Sequence, residues 1–414
     1  MSSTLLNCQK EPRIGSSGQD PEATPPEQAD IVLIGGGVIG LSTAWHLLQA
    51  GRQPIVLDPH PGSGASFAAA GMLASISEVQ YRQEALLPLM RTSAQLYPEF
   101  VARLEATSGQ SVGWRPTETL VLAFDRADAQ HLTELATYQQ ELGLTPEPIG
   151  ARAARRHEPV LSPSLAGAVS IAQDHQIDPR RLMRALDQEL AGRVIRASAQ
   201  GITLEDGTVT GVSWVDADGN QGSMASTQVV VANGLAATQL HGPDSLESLP
   251  LRPVHGDILR LTVPPHQRPF LTRTIRGVVR GNPVYLVPRK DNTLVLGATM
   301  REDQQTGLSA GGIYQLLRDA HELVPALSEL EIHEATARAR PGTPDDIPLI
   351  GQLTHRGQPI TGALLATGFF RHGILLAPWA AQLITRQLTG QTTEQDLADL
   401  ATCNPYRFAQ PDTL

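Results

Sequence analysis

The chain is short of cysteine, of positive charge and of long apolar runs. Of 414 residues only two are cysteines, Cys8 and Cys403, both near the ends. No CxxC pair, zinc spacing or disulfide framework can be built from them, which fits a reducing, cytoplasmic setting. Lys and Arg number 32 against 42 Asp and Glu, a net charge of −10, so nucleic acid or an anionic membrane is a poor main partner. A small anionic substrate is not excluded, because a site needs only one or two local cations. No uninterrupted apolar run reaches the roughly 18 residues of a membrane span. The best candidate, GALLATGFFRHGILLAPWAAQLI, is broken by Arg371 and His372. No metal-ligand pattern is expected.

What is present is a folded, turn-rich composition, with 41% hydrophobic residues, 37 Gly and 31 Pro, in a chain long enough for two domains. The first 28 residues are rich in Ser, Pro, Gln and Glu, lack the apolar core of a secretory signal, and read as a disordered extension. A strand is then expected at Asp30–Ile34, a helix at Val38–Ala50 stopped by Gly51, and a strand at Gln53–Leu57. Further on, helices are expected at Glu84–Ala106, Ala127–Leu142 and Gly373–Leu388. Strands are expected at Thr117–Phe124, Gly211–Val215, Gln228–Ala232, Val284–Pro288, Thr293–Leu296 and Ala363–Ala366. Pro-rich stretches at Leu249–Pro253 and Val263–Pro269 mark a transition. The strand ends VVVANG and ALLATG resemble each other and lie far from the opening unit, which implies a nucleotide domain interrupted by a second domain.

Gly35, Gly37 and Gly40 form GxGxxG between the first strand and helix. The first glycine permits the turn, the second lets backbone approach a pyrophosphate, and the third allows close helix–strand packing. The helix N-terminus favours phosphate. Asp58, 18 residues after Gly40 at the end of the next strand, suits ribose hydroxyls and an adenosine without a 2′-phosphate. These features specify a dinucleotide but leave NAD and FAD open. Small residues dominate the following stretch, Gly62 to Gly71. It is equally compatible with a tightly packed loop and with backbone close to a planar ligand.

Five ordered blocks carry a more specific likeness: IGGGVIGLS, ASFAAAGM, YLVPRKDNTLVLGATM, RPGTPDDIPLIG and TGFFRHGILLAP. With them the chain resembles the D-amino-acid-oxidase-like FAD-dependent oxidoreductases, and within these the glycine oxidase branch of thiamine thiazole synthesis, from Ala29 to about Gly390. The resemblance implies an α/β fold: a discontinuous Rossmann-like FAD-binding domain with a second, α+β substrate domain on a mainly antiparallel sheet. The expected division is 29–90, 160–245 and 338–395 for FAD, 91–159 and 246–337 for substrate, and 396–414 as a C-terminal tail.

By the same resemblance Val38, Ile39, Asp58 and Pro59 hold the ADP end of non-covalent FAD. Ala65, Ser66, Ala70, Gly71 and Met72 line the approach to the flavin, and Gln200 meets adenine. Phe369, Phe370, Arg371, His372, Gly373, Ile374 and Leu375 border the isoalloxazine. Arg371 is the main partner of a substrate carboxylate, with Arg340, Tyr285 and Met300 completing the pocket. Guanidinium suits this task because its planar fork matches a carboxylate. No residue is expected to act as acid or base, since orientation and charge stabilisation are the main requirements. Arg280, Arg289 and Arg338 are read as structural. Two positions depart from the branch: His372 replaces an Asn, and Pro283 replaces a pocket His. The implied activity is oxidative deamination of glycine or related small amines, with oxygen as acceptor and a homotetrameric assembly. A D-amino-acid or sarcosine oxidase or dehydrogenase remains an open alternative, as does a non-catalytic flavoprotein subunit.

Overall fold

The computed structural model of the chain describes residues 25–408. Two sheets organise it. In the first, Ile31–Ile34 is the centre, with Val229–Val231 and then Gln358–Thr367 on one side and Pro54–Leu57 and Val194–Ile195 on the other, all parallel. Ile31 to Leu33 are fully buried because both sheet faces are covered, which is why the strand reads as a continuous apolar run. The helix Val38–Gln49 packs against Gly373–Thr389 on one face of this sheet. Antiparallel strands Ala197–Glu205, Thr208–Asp216 and Gln221–Ala225 extend it at the far edge.

The second sheet runs in the order Glu331–Gly342, Arg252–Thr262, Thr293–Gly297, Asn282–Pro288, Thr274–Val279, Thr119–Ala123, Gly167–Ile171, Glu147–Ile149. Every pairing in it is antiparallel except Thr274–Val279 with Thr119–Ala123. The α/β class with a mainly antiparallel second sheet is therefore as expected.

Several boundaries differ. Gly167–Ile171 falls within 160–245 but belongs to the second sheet, as the antiparallel neighbour of Thr119–Ala123. The stretch 396–414 is no simple tail. Thr393 and Asp396 form a capping box that starts a helix over Glu394–Thr402, and Cys403 behind it is buried. Of the extension 1–28, residues 1–24 lie outside the described residues, as do Cys8 and 409–414. Glu27 and Ala29 are tied to the sheet edge, since Ala225 N–H donates to Glu27 and Ala29 N–H donates to Ala225 (2.8 and 2.9 Å). The helix expected from Glu84 starts at Leu87, where Pro88 occupies the first turn, whose N–H groups need no intrahelical partner. Two long strands, Arg252–Thr262 and Glu331–Gly342, were not anticipated. The first lies between the two Pro-rich stretches and overlaps only the end of the earlier one, at Arg252 and Pro253. The second alternates charged and small residues (EIHEATARARPG), with no apolar stripe to betray it.

Among the described residues no helix is long and apolar enough to cross a membrane, and no group of three or more His, Cys, Asp or Glu could hold a metal ion.

Candidate functional site

A cavity of about 510 Å³ lies between the sheets, within the range of small-molecule and cofactor sites. One end is made by the glycine loop. Gly40 is required there by close approach: a Cβ would sit 1.9 Å from the Gly35 carbonyl oxygen. Gly37 faces the cavity, and its added Cβ would meet only Ser66 Oγ, at 3.6 Å. Gly37 supplies no side-chain cap to the helix, and Val38 N–H reaches across to Ser66 Oγ (3.0 Å). Asp58 staples the loop: Gly36 N–H donates to Oδ2 (2.6 Å) and His60 N–H to Oδ1 (2.8 Å). Burial raises its carboxyl pKa above the usual range, against the lowering effect of these bonds.

The middle is walled by Ala65–Met72. Gly71 has φ +72, and a Cβ there would meet the Ile177 carbonyl at 2.0 Å. Carbonyls of this segment are held by arginines: Phe67 accepts from Arg180 and Arg260 (3.2 Å each), and Ala70 from Arg289. Arg289 is thus structural, as read. Arg338 lines the cavity while its Nε is tied to the Ser63 carbonyl (2.8 Å).

The other end is polar. Arg340 arrives from the strand Glu331–Gly342, and Gly256 on the neighbouring strand leaves its guanidinium room, since a Cβ would lie 2.3 Å from Nη2. The Arg340 guanidinium lies close to the Tyr285 hydroxyl, and its Nη1 donates to the Thr299 carbonyl (3.3 Å). Arg371 Nε lies 3.1 Å from Glu78 Oε2 and also reaches His372 Nε2 (3.3 Å). Burial lowers the proton affinity of both guanidinium groups, and for Arg340 the nearby Arg371 adds to this. His372 is fully buried and, chiefly through desolvation, held well below its usual pKa, so its ring is neutral and offers Nε2 as acceptor.

His372 also caps the helix Gly373–Thr389 without a side-chain bond, so the positive end of that helix faces the cavity. The first turn is shaped from outside. Pro378 leaves the Ile374 carbonyl without its i+4 donor, and the buried Tyr97 hydroxyl donates to it instead. One residue on, Ser93 Oγ donates to the Leu375 carbonyl (2.6 Å) and accepts from Trp379 N–H (3.4 Å).

The cavity thus brings together Gly37, Val38, Ile39, Asp58, Ala65, Ser66, Ala70–Met72, Tyr285, Arg340 and Phe369–Leu375. Met300 lines it too, but at 55% exposure it stands at the mouth and is not a buried wall. Gly35 and Gly40 pack behind the lining, and Pro59 lies outside it. Gln200 is away from the cavity, because its carbonyl accepts His241 N–H (3.0 Å) and its amide bonds Ser198 (3.3 Å). Polar lining residues that the sequence reading did not place there include Glu78, Arg276, Asn233 and the cavity-facing Arg338. A signal for Arg276 existed. Arg280 and Gly281, both at positive φ, form a two-residue hairpin turn that sets Arg276 directly opposite Tyr285. Glu78 carries no comparable local signal.

The residues present fit a dinucleotide of FAD type. The glycine cradle stands at one end, a small-residue wall follows it, and buried Asn233 Oδ1 in the lining has no hydrogen-bond partner. Fold and cavity together define a protein with a dinucleotide-type cradle at one end of its cavity and an arginine-lined pocket at the other. The sequence pattern of the FAD dependent oxidoreductase family (DAO) matches residues 30–387, and the chain belongs to that family. It is 34% identical over 372 residues to the bifunctional protein ThiO/ThiG of Synechocystis sp., covering 88% of this chain and 52% of that protein. The chain thus spans about half the length of that relative. It is 31% identical to glycine oxidase of Geobacillus kaustophilus, covering 89% of this chain and 95% of the relative. The crystal structure of glycine oxidase from Geobacillus kaustophilus superposes with a TM-score of 0.79 at 29% identity, over 91% of this chain and 98% of that one.

Proposed function

We propose that the chain is an FAD-dependent oxidase of glycine and related small amino acids, converting glycine, water and oxygen to glyoxylate, ammonia and hydrogen peroxide. The observation that carries this reading is the half-buried arginine pair, Arg340 and Arg371, in the cavity that begins at the glycine loop. A protein that merely stored the cofactor would have no use for a carboxylate clamp.

In this reading Asp58 and the first turn of Val38–Gln49 hold the ADP end, and the segment from Ala65 to Met72 flanks the ring system. When bound, FAD, held non-covalently, supplies the two-electron acceptor for the substrate α-carbon, and oxygen restores it. Arg371 and Arg340 hold the substrate carboxylate; the Thr299 carbonyl anchors Arg340, and Tyr285 stands beside it. Glu78 braces Arg371 through its ion pair. The positive end of Gly373–Thr389 stabilises negative charge that develops at that edge of the cavity. Apolar Met72 and Ile258 exclude water from the reacting end. The likeness to ThiO-containing and glycine oxidase relatives supports a place in the thiazole branch of thiamine synthesis, and the family resemblance supports a homotetramer.

The test is peroxide release by the purified holoenzyme over glycine, sarcosine, D-alanine and L-alanine. Turnover of glycine or sarcosine with peroxide is expected. Flavin reduction without peroxide would make the protein a dehydrogenase.

A further inference from the structure

The substrate end of the cavity holds more positive charge than one amino acid can use. Arg276, Arg340 and Arg371 all line it, and Glu78 is the only carboxylate among the described residues lining that end. Asp346 lies behind Arg371, but it is shared with Arg252 (3.5 Å) and Gln83 (2.9 Å). Within the lining of that end three guanidinium groups thus share one carboxylate, which leaves two positive charges without a counterpart among the lining residues. The carboxylate of glycine neutralises one of them, and its amine neutralises none. Buried charges are ordinarily paired.

Arg276 shares Glu78 with Arg371, and among the described residues it pairs with no second carboxylate, whereas Arg371 also has Asp346 behind it. Arg276 sits directly across from Tyr285 in the hairpin, and the charges of both Arg276 and Arg340 act on the Tyr285 hydroxyl, so two guanidinium groups stand near one tyrosine. The single hydrogen bond of its side chain among the described residues runs from Nη1 to Glu78. A guanidinium has five N–H donors, and the other four make no hydrogen bond to the described residues. Burial and the repulsion of Arg371 push its proton affinity down to about 9, and a second anion would relieve both effects. Pro283, on the same hairpin and in the same lining, offers no side-chain donor or acceptor to compete.

We propose that Arg276 determines specificity by binding a second anionic group on the substrate, so that the pocket prefers short amines bearing two carboxylates over glycine. One carboxylate occupies Arg371 and Arg340, the other Arg276. Short dicarboxylic amino acids and N-carboxymethyl amines have this chemistry. The proposal rests on the amino-acid oxidase reading above.

The experiment is a binding titration of the FAD-loaded protein with carboxylates that have no amine to oxidise, followed by the change in flavin absorbance at fixed ionic strength. Acetate and propionate carry one charge, malonate and succinate two. Malonate or succinate should bind at least about tenfold more tightly than its monocarboxylate counterpart, the low end for a charge-assisted bond. In Arg276→Gln the ratio should collapse to within about twofold, and in Arg276→Lys a preference of several-fold should survive. Equal affinities in the unaltered protein overturn the proposal without any variant, so a misfolded Arg276→Gln cannot shelter it. An unchanged ratio in Arg276→Gln overturns it too. If monocarboxylates bind and glycine bleaches the flavin while the ratio is one, this proposal fails alone. If no carboxylate perturbs the flavin and no amine reduces it, the oxidase reading fails and takes this proposal with it.

Discussion

Replacing Gly40 by Ala should damage both the fold and the cofactor site, whereas the same change at Gly37 should damage only the second. At Gly40 the new Cβ would lie 1.9 Å from the Gly35 carbonyl oxygen and 3.1 Å from its carbon. A carbon–oxygen contact needs about 3.3 Å, so helix and loop must part by roughly 1.4 Å. The clashing atoms are backbone, and no side chain can swing aside. Overpacking of this kind costs about 1–3 kcal/mol, and the rigid surroundings put Gly40→Ala near the upper figure. The donors of the first helical turn move with the helix. Losing one charge-assisted bond to pyrophosphate costs about 1.5–3 kcal/mol, or roughly 10- to 150-fold in Kd. At Gly37 the backbone φ is −77° and the nearest contact of a Cβ is 3.6 Å away, so alanine fits the fold. Its methyl group nevertheless enters the cavity. Denaturant unfolding of the two apoproteins and FAD titration by fluorescence quenching provide the assay. Gly37→Ala should change stability by less than about 0.5 kcal/mol while weakening FAD binding. A Gly40→Ala protein as stable as the parent would refute the packing argument. So would equal loss of stability in both variants.

Arg371→Ala should raise the apparent KM for glycine by roughly 10- to 150-fold with the flavin spectrum unchanged, the value of a hydrogen bond between charged partners. Unaltered kinetics would remove Arg371 from the substrate site. Tyr97→Phe leaves the Ile374 carbonyl without its donor above Pro378. Denaturant unfolding should show a loss of about 1–3 kcal/mol, and a loss below about 0.5 would contradict that role. Asp174 is fully buried and accepts from Ile76 N–H (3.0 Å) and Ser77 N–H (2.9 Å), holding the loop that presents Glu78. Desolvation raises its pKa from 3.8 to about 6. The native state therefore binds this proton more tightly than the unfolded chain, and stability falls as pH rises from about 4 to about 6, by up to about 1.4 kcal/mol per pH unit. Asp174→Asn should lose that contribution to the slope, and parallel stability–pH curves for parent and variant would contradict the assignment.

The glycine-loop unit was legible because its signals are local: three glycines, an apolar strand and an acidic residue at the next strand end. The helix at Gly373 was legible for the same reason. The strand carrying Arg338 and Arg340 was not, since its alternation of charged and small residues reflects a strand between a cavity and a neighbouring sheet strand and not an apolar core. Arg276 became interpretable only through its register with Tyr285. Glu78 is delivered by a loop held from 97 residues away by Asp174, and no window of sequence reveals that. Gln200, assigned from a weak local match, lies outside the cavity lining, with its carbonyl accepting from His241 N–H.

The most direct test of the central claim is the visible spectrum of the purified protein during anaerobic addition of glycine, followed by air. The account predicts flavin bands that bleach with glycine and return with oxygen, one hydrogen peroxide appearing per glycine consumed. A colourless protein that takes up no FAD, or a flavin that neither glycine nor any small amino acid bleaches, would contradict it.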